Sequence, residues 1–133
     1  MPASQQQIIL LSAVNEQINA IPYDAVPKAG EEADTWIDAP DGGEWECRDY
    51  TIAKAKDLRN RGWPVSDMSV VLCNDELGEY HAVLACNAGG DIYVLDNRTP
   101  GIYLWNEPVY AYTWLHQQIP GSTDFRDAST GLV

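Results

Sequence analysis

Two glycines, Gly89 and Gly90, separate one run of strand-forming residues, Tyr80 to Cys86, from another, Ile92 to Leu95. A two-residue loop of this kind is the tightest joint between antiparallel strands, because glycine accepts the left-handed backbone that the turn demands. The loop also sets the register: Ala88 falls opposite Asp91 and, further along, Val83 falls opposite Asp96. Side chains alternate along a strand, so His81, Val83 and Ala85 share a face with Val94 and Asp96. His81 and Asp96 are then diagonal neighbours with Cβ atoms roughly 7 Å apart, within reach of an imidazole–carboxylate hydrogen bond. A slip of one residue would put them on opposite faces. A helix packed on the face they share would bring a third group to the pair.

That helix is expected upstream, over Thr51 to Arg61, entered through Trp45-Glu46-Cys47-Arg48-Asp49-Tyr50 and stopped by Gly62-Trp63-Pro64. At helical spacing Cys47, Thr51, Ala55 and Leu58 fall on one face with Tyr50 beside them. Arg48, Lys56, Arg59 and Asn60 fall on the other, and Lys54 is the polar exception on the inner face. Asp41-Gly42-Gly43 is a turn signal ahead of the helix, and Glu46 is placed to cap it, although Ser, Thr, Asp or Asn would cap better. A cysteine in the first turn meets free backbone N–H groups and the positive end of the helix dipole, which favour thiolate over thiol. A cysteine at the head of a buried stripe is also an ordinary core residue.

His81 and Asp96 decide between these readings. Cys, His and Asp in one place have distinct jobs: His81 takes the thiol proton from Cys47, and Asp96 orients the ring and balances its charge. The backbone N–H of Cys47 is a natural oxyanion donor. The second donor is open, with an indole N–H from Trp45 or Trp36 as one option; Trp45 and Asn97 are the candidate supporting residues.

The rest of the chain reads as one α+β domain over residues 1–133, with its catalytic core at about 36–116. Ser4-Gln5-Gln6-Gln7 has capping-box spacing, and Leu10, Leu11, Val14, Ile18 and Ile21 form one face of a helix at about 5–20, ended by Pro22. Residues 22–44 form a long connection, a length that usually borders a functional site. Strands are expected at Met68 to Cys73, Tyr80 to Cys86 and Ile92 to Leu95. Ile102 to Trp105 and Tyr110 to His116 would extend the sheet, and the tail after Pro120 reads as irregular. Cys73 and Cys86 sit in apolar runs as core residues, and His116 belongs to the surface or a sheet edge.

Twenty acidic against eight basic residues give a net charge of −12, which argues against nucleic acid or an anionic membrane as partner, since both need a basic patch. Three cysteines without paired spacing make no disulfide framework, and no CxxC or HxxxH pattern marks a structural zinc site. Ile8 to Leu11 is too short for a signal peptide or a membrane span, so the expected location is the cytoplasm.

The ordered set Glu46-Cys47-Arg48-Asp49-Tyr50, Ala53-Lys54, Gly62-Trp63-Pro64, His81-Ala82-Val83-Leu84 and Val94-Leu95-Asp96-Asn97 resembles the bacterial transglutaminase-like cysteine peptidases, a group that includes periplasmic adhesin-cleaving proteases. The resemblance covers Trp36 to about Trp114. It implies a papain-like fold with the nucleophile on a helix and its partners on the sheet, and thiol-dependent cleavage of a peptide or related amide bond in a protein or peptide substrate. Similar compact domains are encoded by tailed phages, and the small size here would suit that origin, with the virion as an alternative location. Calcium-dependent members carry acids on both sides of the nucleophile. Here Arg48 stands in one of those places and a guanidinium opposes a hard cation, so no metal or other cofactor is expected. Transamidation or glutamine deamidation would use the same three residues, and a binding or virion module would keep the fold without the chemistry.

Overall fold

The computed structural model describes residues 3–22, 46–107, 111–122 and 124–133. The first helix, α1, is Gln5–Asn19, and the expected capping box is formed: the Gln7 N–H donates to Ser4 Oγ and the Ser4 N–H to Gln7 Oε1. The second, α2, is Glu46–Asn60 and takes in the whole stretch around Cys47. The connection between the helices, with Trp36 and Trp45, lies outside the described residues, as does the capping role read for Glu46. Gly62, at φ +94°, ends α2, and the Trp63 N–H folds back onto the Leu58 carbonyl.

Among the described residues six strands follow: β1 Met68–Asn74, β2 Tyr80–Ala88, β3 Asp91–Leu95, β4 Tyr103–Leu104, β5 Thr113–Gln118 and β6 Phe125–Asp127. They form one antiparallel sheet in the order β4-β3-β2-β1-β5-β6. The Gly89-Gly90 turn has φ 62° and 90°, and β2 pairs with β3 in the expected register, Ala88 opposite Asp91 through Leu84 opposite Leu95. One expectation is refined here and another corrected. The strand expected over Tyr110 to His116 is Thr113–Gln118, with Tyr110 itself outside the described residues, and it extends the sheet beside β1. The tail is not irregular throughout: Phe125–Asp127 adds an edge strand to β5, and Ala128 and Leu132 are buried. An edge strand of three residues is too short to carry an alternation signal.

The helices cover one face of the sheet. Leu11 and Val14 of α1 and Ala55 and Leu58 of α2 pack with Met68, Leu84, Cys86, Ala88 and Leu95. Ile52 continues this layer with Val70, Leu72 and Ala82, and Cys47 packs against that end of it. The opposite face, Val71, Val83, Ala85 and Val94, is covered by Ala128, Leu132 and the aromatic side chains of Tyr103, Trp105, Tyr112 and Trp114. The expectation that α2 would pack on the face carrying Val83, Ala85 and Val94 is therefore wrong; it packs on the other alternation phase. Both phases are apolar: Leu84, Cys86, Ala88 and Leu95 face the helices, and the back of the sheet is left to the C-terminal segment.

Lys54 is buried at 1% exposure in the helix–sheet layer. Burial lowers its pKa to about 7, against the opposing attraction of Asp96 and Cys86. The net lowering means that desolvation outweighs attraction. An unfolded lysine titrates near about 10.4, so between pH 7 and that value the unfolded chain binds more protons here, and this group's contribution to stability rises with pH. Lys54→Met is expected to stabilise the fold at pH 6 by on the order of 1 kcal/mol and by less at pH 9.5, as thermal melts at the two pH values will show.

Candidate active site

Three element ends converge on one end of the sheet. His81 is the second residue of β2, Asp96 follows the last residue of β3, and Cys47 is the second residue of α2. The pairing of β3 with β2 stops at Leu84↔Leu95. Past that pair the chain of β3 turns away, and the space beside β2 holds the side chains of His81 and Asp96. His81 Nε2 lies 2.8 Å from Asp96 Oδ1, with the two side chains 6% and 0% exposed. With Nε2 committed to the carboxylate, Nδ1 is the ring nitrogen left for the thiol. The interaction with Cys47 is thus made around the end of the sheet, although α2 covers the face opposite to Val83.

The electrostatics couple the three groups. Burial alone would lower the His81 pKa, but hydrogen bonds to Asp96 and Cys47, with the charges of both, raise it to about 9. Burial alone would raise the Asp96 carboxyl. The hydrogen bond and charge of His81, the Tyr112 hydroxyl and the Arg98 N–H hold it below the usual carboxylate range instead. Cys73 and Cys86 are fully buried, and burial pushes both thiols well up, whereas Cys47 is half-buried. Both were expected as core residues, and His116 is exposed on β5.

Several residues that hold the site were not legible in the sequence. Tyr112 Oη donates to Asp96 Oδ2 at 2.7 Å, and the Arg98 N–H donates to Asp96 Oδ1 at 3.0 Å. From α1, Asn19 Nδ2 donates to the Asp96 carbonyl at 2.9 Å and Asn15 Nδ2 to the Thr99 carbonyl at 3.1 Å, which pins the loop that carries Asp96. Thr51 Oγ1 reaches the carbonyls of Cys47 and Ala82, at 2.7 and 3.2 Å, and ties α2 to β2 beside His81. The one available signal was Asn15 and Asn19, polar residues spaced i, i+4 next to the apolar face of α1. Trp45 lies outside the described residues, and Asn97 Oδ1 is buried without a hydrogen-bond partner among the described residues.

A thiol at a helix start, beside an imidazole clamped by a buried carboxylate, is the layout of nucleophilic acyl transfer. The family model of the bacterial transglutaminase-like cysteine proteinases matches residues 1–125. The chain belongs to that family. No curated protein matches it. Among solved structures it is similar to Legionella pneumophila LapG, at a TM-score of 0.60 and 20% identity, over 83% of this chain and 64% of LapG. It therefore spans less than two thirds of that relative. Calcium-bound LapG gives a TM-score of 0.61 at 21% identity, over 93% of this chain and 74% of that one. EGTA-treated LapG gives 0.61 at 18%, over 92% and 72%. At these identities the likeness is one of fold, α+β and papain-like.

The calcium-bound relative raises the question of a cation in this member of the family. Among the described residues no three His, Cys, Asp or Glu side chains gather as a cation would require. Beside Cys47, Arg48 is half-buried with its Nε lacking a hydrogen-bond partner. A hard cation needs several oxygens, and a buried guanidinium donor repels it. Beside Cys47, Arg48 therefore opposes calcium rather than offering it a ligand. Nor is any helix among them long and apolar enough to cross a membrane.

The raised His81 pKa has a consequence for stability. The charged ring is stabilised in the fold, so its contribution is full below the unfolded value near about 6.5 and is lost as pH rises through 9. Asp96→Asn removes the anion that stabilises this charge, leaving it buried and unpaired. It is expected to cost about 3 kcal/mol at pH 6 and less at pH 10, checked by urea unfolding at both values.

Proposed function

We propose that this chain cleaves peptide bonds with Cys47 as nucleophile, His81 as general base and then acid, and Asp96 as the residue that orients and charges His81. One observation carries the reading: the buried 2.8 Å His81–Asp96 pair beside a half-buried cysteine in the first turn of a helix. Cys47 Sγ, its proton already held by the His81 imidazolium, attacks the scissile carbonyl carbon, and the carbonyl π electrons move to oxygen. The N–H of Cys47 faces that oxyanion, because N–H groups in a first helical turn have no intrahelical acceptor. Collapse of the intermediate breaks the C–N bond, and His81 returns the proton to the leaving amine. Water, deprotonated by the same ring, then cleaves the thioester and frees the acid.

The family supports a protein or peptide substrate. Arg48 puts a guanidinium beside Cys47 where a hard cation would want an acid, so the scheme is written without a metal, and cleavage is expected to persist in EGTA. Loss of cleavage on chelation, restored by calcium, would overturn that part of the reading. No nucleic-acid or membrane partner enters it, and the domain acts as one unit over residues 1–133 in the cytoplasm or with a virion.

The test is a short pulse of iodoacetamide near neutral pH with peptide mapping, followed by a search for new protein N-termini in lysate treated with the protein. Cys47 is expected to carry most of the label ahead of the buried Cys73 and Cys86, and His81→Ala to slow its labelling severalfold. Cys47→Ala is expected to abolish the new N-termini, and His81→Ala to reduce their rate of formation by about 10²-fold or more. Cleavage is expected to fall as pH rises through about 9, where His81 loses the proton owed to the leaving amine. Labelling mainly at Cys73 or Cys86, or cleavage indifferent to Cys47→Ala, contradicts the proposal.

A further inference from the structure

We infer that Tyr112 is a positioning residue of the triad, fixing the Asp96 carboxylate through its hydroxyl while its ring covers the edge of His81. The inference rests on the roles proposed above for Cys47, His81 and Asp96.

The geometry is specific to one hydroxyl. Asp96 Oδ1 is already taken by His81 Nε2 at 2.8 Å and the Arg98 N–H at 3.0 Å. Its other oxygen, Oδ2, receives Tyr112 Oη at 2.7 Å. A carboxylate bonded at one oxygen only can swing about its Cβ–Cγ bond; bonded at both, it holds its plane and therefore the plane of the imidazole it grips. The ring of Tyr112 meets His81 edge-on, with centroids 5.5 Å apart and planes at 72°, and places apolar surface beside the ion pair.

Tyr112 is itself held. Trp114 meets its ring edge-on at 5.8 Å, and the Arg98 guanidinium lies 5.8 Å from its centroid. Arg98 is tethered to Asp75 at 3.3 Å and to Glu76, both in the turn after β1. The ladder between β1 and β5 shifts register at Leu72/Cys73, a bulge that re-aims Trp114 and the chain leading back to Tyr112. Burial and the neighbouring Asp96 both push the phenol up, so it stays protonated and can only donate to the carboxylate.

The charged or titratable groups that act on Asp96 are His81 on β2, Lys54 on α2, Cys73 on β1, Arg98 in the following loop and Tyr112 ahead of β5. Of these, Tyr112 and the Arg98 N–H are the hydrogen-bond donors other than the base itself. Only the Tyr112 bond can be removed by a side-chain change that leaves shape intact.

The test is the rate of iodoacetamide labelling of Cys47 against pH, in four proteins: wild type, Tyr112→Phe, Asp96→Asn and the double variant. Circular dichroism melts confirm that each is folded; phenylalanine keeps the ring packed on His81. Losing one of three donors raises the Asp96 pKa, so the acid-side midpoint of labelling in Tyr112→Phe is expected roughly one pH unit higher than in wild type. In the Asp96→Asn background the same change is expected to move the midpoint by less than about a third of that. A general packing role would move both backgrounds alike. An unmoved midpoint in Tyr112→Phe, or equal shifts in the two backgrounds, overturns the inference while leaving the triad standing. Wild-type labelling that ignores His81→Ala overturns the triad and this inference together.

Discussion

A histidine and an aspartate at 2.8 Å, both out of water, form an arrangement that folding tolerates only when it is complete. Desolvating a carboxylate and an imidazolium costs several kcal/mol per ion, and removing one partner leaves the other charge stranded. The surroundings of His81 and Asp96 are accordingly filled: the Tyr112 hydroxyl and the Arg98 N–H on the carboxylate, and Asn19 on the Asp96 carbonyl. Much of what the fold does at this end of the sheet is to supply these donors from separate elements. α1, whose sequence face is otherwise hydrophobic, spends two asparagines on the loop after β3.

The same arrangement explains why the sheet ends where it does. If β3 continued beside β2 past Leu84↔Leu95, backbone hydrogen bonds would fill the space that the two side chains occupy. Ending the ladder there exposes the flank of β2 at His81, and the first turn of α2 sets Cys47 against that opening while Ile52, Ala55 and Leu58 bury the rest of the helix. Thr51 fixes the overhang by bonding the carbonyls of both α2 and β2. Packing thus holds the helix on the sheet, and the Thr51 hydroxyl ties it to β2 beside His81.

The local parts of this were legible in the sequence. Gly89-Gly90 can make only a tight turn, so the β2–β3 register followed, and with it the meeting of His81 and Asp96. The capping box of Ser4 and Gln7 and the stop at Gly62 are equally local. Choices between two surfaces were not legible. Both alternation phases of β2 are apolar, so nothing in the chain said that α2 would take Leu84 and Cys86 and leave Val83 and Ala85 to Ala128 and Leu132. Tyr112 was invisible for a related reason: its partner lies 16 residues back and is reached only because β5 returns to the far side of β1.

The central claim is that Cys47, His81 and Asp96 form one electrostatic unit, and the proton on His81 reports it directly. Nitrogen-15 NMR of the histidine side chains, followed from pH 5 to 11 in wild type and in Cys47→Ala, measures that proton. The account predicts an imidazole that keeps both protons through neutral pH and titrates near 9, with Nε2–H shifted downfield by its bond to Asp96, and a clear fall in that value in Cys47→Ala. A His81 that titrates at or below the ordinary value of about 6.5, or one whose titration is the same with and without the Cys47 thiol, would contradict it.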